Sequence, residues 1–389
     1  MIHIGLEVLL AGPDDRFAGQ RLALLSNQAS TGRDYVHARH HLERKFPGQL
    51  TCLFSPQHGF FAEKQDNMIE SPHQIDAETG LRVFSLYGET RRPEAAMLND
   101  VDVLLIDIVD VGTRVYTFLY TMAYCLEAAA SFGKKVVVLD RPNPIGGVMM
   151  EGNLLRDDCR SFVGLYPLPM RHGLTFGELA LLINREYGIG ADLEVVAMTG
   201  WRRTMNFRDT GFPWVFPSPN MPTPETALVY PGQVIWEGTT VSEGRGTTLP
   251  FELVGAPYWQ LPAMQAAIAA TPLPGCTLRP LAFQPTSGKW AGQTCQGFQL
   301  HILDANRFLP YRTSLALLQA AIQLHPDDFA YKEPPYEYEY SRLPMDLILG
   351  DRQVRQQLEA GISIIEIEAG WRDELAAFAT LRQPYLLYP

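Results

Sequence analysis

Short apolar runs alternate with helical patterns through the first half of the chain. Six runs are bounded by polar or turn residues and rich in β-branched residues, at 21–26, 50–55, 81–86, 101–109, 135–140 and 193–198. These features predict buried parallel strands. Apolar positions recur at helical spacing in 120–131 and 175–187, and Thr175 followed by Glu178 predicts a capping box. The alternation predicts an α/β fold with a Rossmann-like, doubly wound and mostly parallel sheet.

The pattern changes after about residue 226. Residues 276–283 and 295–303 have the composition of strands, and 311–324, 345–360 and 363–381 have helical patterns. We therefore predict a Rossmann-like domain over residues 1–225 and a smaller α+β domain over residues 226–389. Ligand clefts commonly form at such a junction.

Residues 217–257, next to this junction, are dense in proline, glycine and hydroxyl residues. The segment carries Glu237, Glu243 and Arg245. Its composition excludes one long helix or strand and predicts ordered turns that present charged groups. The alternative is a structural connection whose charges are solvated.

Polar side chains follow four successive predicted strands, where an open parallel sheet binds its ligands. The second strand is followed by Gln57, His58, Glu63, Asp66, Asn67 and Glu70, and the third by Tyr87 and Gly88; the fourth by Asp107, Asp110, Arg114 and Tyr116, and the fifth by Asp140, Arg141 and Asn143. Together they predict the polar floor of a cleft. Asp107 could equally be a structural carboxylate that caps backbone amides.

The composition limits the partners of this cleft. A net charge of -11 disfavours nucleic acid and anionic membranes. The five scattered cysteines form no CxxC pair, which disfavours a disulfide framework or a zinc site. We expect no membrane partner and a cytoplasmic location, because the sequence has neither a signal-peptide pattern nor an apolar run of roughly 18 residues. A small neutral or locally recognised substrate fits better.

Several familiar chemistries lack their motifs. The sequence has no GxSxG, HExxH, P-loop or complete GxGxxG motif, so we expect no cofactor. His37, His40 and His41 lie in a polar segment that we interpret as a solvated helix face, so we expect no metal site there.

Carboxylates, amides and aromatic residues remain, and glycoside hydrolysis uses these groups. Aromatic side chains near the junction could stack on a sugar ring or pack in the core: Trp201, Trp214, Tyr230, Trp236, Tyr258 and Trp259.

Several long motifs in the chain resemble one bacterial family. They are SPQHGF, SLYGETRRPEAAMLNDVDVLLIDIVDVGTRVYT, VLDRPNPIGG, FVGLYPLPMRHGLTFGELA, PSPNMPT and EGTTVSEGRGTTLPFELVGAP. This is the NamZ-like family of exo-β-N-acetylmuramidases, glycosidases of peptidoglycan recycling, and the resemblance covers nearly the whole chain. It implies a cleft between a Rossmann-like and a smaller domain, and release of N-acetylmuramic acid from the non-reducing end of peptidoglycan fragments.

The resemblance also implies site residues. The positions that match the family pattern are His58, Asp107, Asp110, Arg114, Tyr116, Asn220, Glu237, Glu243 and Arg245. Arg114 and Arg245 are suited to the lactyl carboxylate of such a sugar, because a guanidinium can bind it through two hydrogen bonds. Either arginine could instead form an ion pair with Asp110 or Glu243.

Two positions depart from the family pattern. Gln57 stands where members carry the glutamate of a PEHG motif, and Val109 replaces a glutamine. Because glutamine cannot act as an acid, we predict Glu63, Glu243 or Asp107 as the catalytic carboxylate, with Gln57 binding substrate. A glycosidase of altered specificity, a non-catalytic sugar-binding or sensor protein and another polar-metabolite hydrolase are the alternatives.

Overall fold

The computed structural model describes residues 1–66 and 68–389 of the chain, so Asn67 of the predicted cleft floor lies outside the described residues. The strands are β1 (Leu22–Ser26), β2 (Leu50–Ser55), β3 (Gln74–Ile75), β4 (Arg82–Ser85), β5 (Val103–Asp107), β6 (Lys135–Leu139), β7 (Glu151–Leu154), β8 (Pro169–Arg171), β9 (Asp192–Val196), β10 (Leu253–Ala256), β11 (Cys276–Phe283) and β12 (Cys295–Ile302). The helices are α1 (Gly5–Ala11), α2 (Ala38–Lys45), α3 (Ala95–Leu98), α4 (Phe118–Phe132), α5 (Phe176–Glu186), α6 (Phe207–Thr210), α7 (Pro224–Gln233), α8 (Leu261–Ile268), α9 (Pro310–Leu324), α10 (Pro344–Leu349), α11 (Arg352–Glu359), α12 (Ile364–Ala369) and α13 (Arg372–Arg382).

The main sheet has the order β3-β4-β2-β1-β5-β6-β9. All neighbours pair in parallel except β3 and β4. Counting only the parallel strands along the chain, the order is 3-2-1-4-5-6, which is that of a Rossmann sheet. The six predicted parallel strands and the fold class are confirmed. Strand order reverses between β1 and β5, so the carboxyl edge there is where a ligand is expected.

The predicted capping box begins α5. The Thr175 hydroxyl accepts a hydrogen bond from the Glu178 backbone N–H at 3.3 Å, and the Glu178 carboxylate accepts one from the Thr175 N–H at 2.9 Å. Two backbone donors at the helix start are thereby satisfied. The helix buries its apolar face in a core that also contains residues of β5, α4 and α9.

The second half contains an antiparallel sheet of order β10-β12-β11, which confirms the two strands predicted there. The helix predicted at 311–324 is confirmed as α9, whereas the patterns at 345–360 and 363–381 each form two helices. Gly350, at a φ of +72°, ends α10, and Asp351 caps the start of α11. A single buried core cluster includes side chains from both predicted domains.

The prediction of turns throughout 217–257 was wrong in part. Thr223 caps α7 by accepting a hydrogen bond from the Thr226 N–H at 3.2 Å, and Pro224 occupies the first turn, where no N–H is needed. A 3-10 helix follows at Val234–Gly238, and the segment ends with β10. Turns remain between Thr239 and Glu252.

Across residues 1–66 and 68–389, no helix has both the length and the apolar character needed to cross a membrane.

Candidate active site

A cavity lies beyond the carboxyl ends of β2 and β5. Gln57 and His58, just after β2, line one side, and Tyr116 lies in the segment that follows β5. The second half of the chain contributes two glutamates to the lining, Glu237 and Glu337. The cavity therefore needs both halves of the chain.

Glu237 is a buried carboxylate with strong donors. It accepts hydrogen bonds from Arg245 Nη2 at 2.5 Å and from the Tyr336 hydroxyl at 2.7 Å. Burial acts to raise the pKa of Glu237, but the Arg245 charge and the Tyr336 hydrogen bond outweigh it, so the pKa lies below its usual value. Glu237 is therefore ionised at neutral pH.

Glu243 is the second carboxylate that contacts Arg245. Arg245 Nε lies 3.2 Å from Glu243 Oε1, and Lys289 Nζ lies 2.7 Å from Glu243 Oε2. Lys289 also donates to the carbonyls of Trp236 and Val241. Two cations and two carboxylates thus balance one another in the wall of the site, which is how buried charges are tolerated.

Glu337 is the other carboxyl group among the described residues that line the cavity. Its Oε1 accepts from Gln57 Nε2 at 3.0 Å, and its Oε2 accepts from the Tyr87 hydroxyl at 2.6 Å. The Gln57 carbonyl accepts from the Thr117 hydroxyl at 2.6 Å, which fixes the orientation of the amide. Burial raises the pKa of Glu337 above its usual value, although both donors act to lower it.

The two carboxyl groups therefore have pKa values that shift in opposite directions. Ion pairing lowers the pKa of Glu237, and burial raises that of Glu337. A pair of acids whose environments push their pKa values apart is the arrangement that acid–base catalysis requires. The arrangement can supply one proton donor and one negative charge.

His58 completes the wall formed by the loop after β2. Its Nδ1 lies 2.8 Å from the Lys64 carbonyl, so Nδ1 carries the proton and Nε2 is left as an acceptor. Burial lowers the pKa of His58 to about 4, so the ring is neutral at pH 7. It can accept a hydrogen bond from a substrate hydroxyl or amide.

Comparison with known proteins identifies the family. Two family models, described as the N-terminal and C-terminal parts of exo-β-N-acetylmuramidase NamZ, match residues 22–225 and 228–388. The chain belongs to the NamZ family. This confirms the resemblance and the prediction of a glycosidase.

Individual proteins are similar to the chain in sequence and structure. The chain is 42% identical over 387 residues to peptidoglycan β-N-acetylmuramidase NamZ of Bacillus subtilis strain 168, covering all of this chain and 91% of that protein. Two crystal structures of DUF1343 family proteins from Bacteroides fragilis superpose over the whole chain and 99% of theirs. Their TM-scores are 0.89 and 0.78, at 33% and 30% identity.

Two carboxylates predicted to be catalytic lie outside the cavity of this NamZ family member. Asp107 is fully buried and makes a two-pronged ion pair with Arg141, whose Nη2 lies 2.8 Å from Asp107 Oδ2. Glu63 is exposed and accepts from the Phe61 N–H at 3.2 Å. Glu243 does not line the cavity either, but it contacts Arg245, which does.

Arg114 is not placed to bind a substrate carboxylate. Its guanidinium is buried and donates to the carbonyls of Asn153, Leu168, Ile348 and Leu349 at 2.7–3.1 Å. The ion pair with Asp110 considered from the sequence is not formed. The Asp110 carboxylate instead accepts from the Gly112 N–H at 2.7 Å, and burial raises its pKa to about 7.

The other predicted binding residues lie at the cavity. Gln57, His58, Tyr116, Asn220, Glu237 and Arg245 all line it. The Arg245 ion pair with Glu243, the alternative drawn from the sequence, is present and extends to Glu237. Among the aromatic candidates, Tyr230 lines the cavity, whereas Trp201, Trp236 and Trp259 are buried in the core.

Glu337 was not predicted from the sequence, and the environment predicted for His37 was wrong. Glu337 lies in PPYEYEY, which shares prolines with 217–257, and its alternating tyrosines and glutamates are the signal that could have indicated it. His37 is not on a solvated helix face, because it is buried and caps α2, accepting from the Arg39 N–H at 3.2 Å. His40 and His41 pair with Glu78 and Asp34.

Proposed function

We propose that this protein hydrolyses the β-glycosidic bond of an N-acetylmuramic acid residue at the non-reducing end of a peptidoglycan fragment. Membership of the NamZ family and the name of the Bacillus subtilis relative support this substrate. The observation that carries the chemistry is the pair Glu337 and Glu237, two carboxyl groups of one cavity with opposite pKa shifts.

Glu337 acts as the general acid in this proposal. Its raised pKa favours the protonated carboxyl group, whose proton passes to the glycosidic oxygen as the bond to the sugar breaks. Gln57 and Tyr87 each bind one carboxyl oxygen and hold the group in place. Gln57 cannot donate a proton as an acid does, so the second half of the chain supplies the acid in its place.

Glu237 provides the negative charge that the reaction needs. An oxocarbenium-like centre develops on the sugar as the leaving group departs, and an ionised carboxylate stabilises it, attacks it or activates water. Arg245 and Tyr336 keep Glu237 ionised.

Arg245 is the candidate partner of the lactyl carboxylate. It lines the cavity, and a guanidinium binds a carboxylate with two parallel hydrogen bonds. When the substrate arrives, Lys289 remains on Glu243 and keeps that carboxylate paired. Arg245 can then share its donors between Glu237 and the substrate.

Substitution of the acid tests the function. Glu337→Gln should abolish cleavage of the disaccharide of N-acetylmuramic acid linked to N-acetylglucosamine, whose leaving sugar oxygen needs a proton, while keeping the thermal shift that N-acetylmuramic acid causes. The matched control is Glu339→Gln, two residues along, whose carboxylate pairs with Arg342 and does not line the cavity. Wild-type turnover by Glu337→Gln would remove Glu337 as the acid.

Gln57 favours a second candidate, a sugar-binding protein without turnover, because an amide stands where the family pattern has an acid. A wild-type protein that shifts its melting temperature with N-acetylmuramic acid but releases no aryl group would support it. The cytoplasmic location and the role in peptidoglycan recycling stay predictions, which cell fractionation and analysis of accumulated muropeptides in a deletion strain would test.

A further inference from the structure

Lys289 is a partly buried lysine that does not line the cavity but contacts its wall. Its Nζ donates to the Trp236 carbonyl at 2.7 Å and to the Val241 carbonyl at 3.1 Å. The third acceptor is Glu243 Oε2, at 2.7 Å. An ammonium group has three N–H donors, and each of them has an acceptor here. Lys289 is therefore held in one position, and one of its three contacts is to a carboxylate.

The turn between β11 and β12 carries Lys289, and further contacts attach this turn to the turns after the 3-10 helix. Trp290 Nε1 donates to the Thr240 carbonyl at 2.7 Å. The Thr286 N–H and hydroxyl both donate to the Gly246 carbonyl, each at 2.8 Å. Because these bonds lie on both sides of Lys289 in the sequence, the two segments place the ammonium group without the help of a ligand.

Four side chains of alternating charge lead from Lys289 to the cavity. Lys289 contacts Glu243, and Glu243 Oε1 lies 3.2 Å from Arg245 Nε. Arg245 Nη2 donates in turn to Glu237 at 2.5 Å. Arg245 and Glu237 line the cavity, whereas Lys289 and Glu243 do not. Arg245 thus lies between two carboxylates that compete for its N–H donors, and Lys289 gives one of them a second cation.

We propose that Lys289 is a positioning residue, which keeps Arg245 on Glu237 by holding Glu243 from the other side. The inference rests on the proposed function, in which ionised Glu237 supplies the negative charge that the reaction needs. Without Lys289, Glu243 would keep its charge and would draw Arg245 toward itself. Glu237 would then bind a proton more readily.

Charged and titratable groups from several segments surround Glu237. They are Arg245 and Glu243 after the 3-10 helix, Tyr230 of α7, His58 after β2, Lys289 between β11 and β12, and Tyr336 and Glu337 before α10. Burial raises the pKa of Glu237, whereas the charges of Arg245 and Lys289 and the Tyr336 hydrogen bond lower it. Loss of Lys289 therefore raises this pKa both directly and through Arg245.

The pH dependence of kcat/KM tests this role, with the disaccharide of N-acetylmuramic acid linked to N-acetylglucosamine as substrate. Activity falls as the pH falls through the pKa of Glu237, because the reaction uses the ionised form. Lys289→Met should move this acidic limb to higher pH by about one unit, the usual effect of losing a nearby opposite charge, and leave the basic limb in place. His58, whose pKa is about 4, is retained in every variant, so its own titration cannot cause the difference.

A control and a double variant separate positioning from general damage. Lys332→Met removes an exposed lysine outside the cavity, whose charge is screened by solvent, and should leave both limbs in place. Lys289→Met combined with Glu243→Gln removes one charge of each sign and leaves Arg245 to Glu237. The acidic limb of the double variant should return to its wild-type position. A limb that stays where Lys289→Met puts it would show that Lys289 does not act through Glu243.

Failure of this inference can be distinguished from failure of the proposed function. A wild-type protein that cleaves no disaccharide at any pH would refute the function. Cleavage by the wild type together with an unmoved acidic limb in Lys289→Met would refute the positioning role alone. Should Lys289→Met not fold, Glu243→Gln replaces it. Loss of the carboxylate that competes for Arg245 should move the acidic limb to lower pH, and a limb that stays in place would overturn the proposal.

Discussion

At the scale of single residues, the site depends on how two glutamates are surrounded. Glu237 is held by a guanidinium and a phenol, whereas Glu337 is held by an amide and a phenol. Only the first set carries a positive charge, and the pKa values move in opposite directions accordingly. Identical side chains thus acquire different roles from their neighbours.

Gln57 gives a direct test of the acid. In Gln57→Glu, a second carboxylate replaces the amide beside Glu337, and a like charge raises a carboxyl pKa. Because the acid must be protonated, activity falls as pH rises through its pKa, so a higher pKa moves the basic limb of the kcat/KM profile to higher pH. Gln356→Glu, at an exposed site on α11, should leave the limb in place. An unmoved limb in Gln57→Glu would argue against Glu337 as the acid.

Only part of this site can be predicted from the sequence. Gln57, His58 and Tyr116 follow predicted strands, so the fold class alone places them at one edge of the sheet. Glu337 contacts Gln57 across 280 residues of sequence, in a stretch without a strand or helix pattern to locate it. Asp107 shows the opposite error, because its place at the end of β5 was right but its partner Arg141 was not foreseen.

Among the secondary-structure elements, the parallel strands and the α5 cap were predicted correctly, whereas several helix boundaries were not. The parallel strands follow from local composition, and the start of α5 follows from two residues that are close in sequence. The helix α7 was missed because its prolines, at the first turn and at Pro231, suggested turns. Pro231 lies inside the last turn of α7, which ends at Gln233 and is followed by a 3-10 helix.

The contribution of Thr175 to stability can be measured, because its hydroxyl makes two hydrogen bonds at the start of α5. The Thr175 hydroxyl accepts from the Glu178 N–H and donates to the buried Asp140 carboxylate at 2.7 Å. Thr175→Ala should lower the free energy of unfolding by about 1–2 kcal/mol, the usual cost of a lost cap. Thr175→Ser keeps the hydroxyl and should lose much less. Urea unfolding of both variants measures this, and equal losses would exclude the hydroxyl as the cause.

At the scale of the whole molecule, Arg114 ties the two halves together. It lies after β5, and its Nη2 donates to the carbonyls of Ile348 and Leu349 at the end of α10, at 2.9 and 2.7 Å. Gly350 permits this approach, since a Cβ there would lie 2.6 Å from Arg114 Nη2. Arg114, which matches the family pattern, therefore has a structural position. It connects the half of the chain that contains Gln57 to the half that contains Glu337.

The two arginines suggested for the lactyl carboxylate should therefore fail in different ways. Arg114→Lys cannot reach four carbonyls and should lower the free energy of unfolding by about 2 kcal/mol, the cost of unpaired buried groups, with KM unchanged below the melting transition. Arg245→Lys should raise KM for an aryl β-N-acetylmuramide by about tenfold, because lysine lacks the two-pronged geometry. The aryl β-N-acetylglucosaminide, which has no lactyl group, distinguishes a lost carboxylate contact from general damage. If Arg245→Lys weakens both glycosides equally, Arg245 acts on Glu237 and not on the lactyl group.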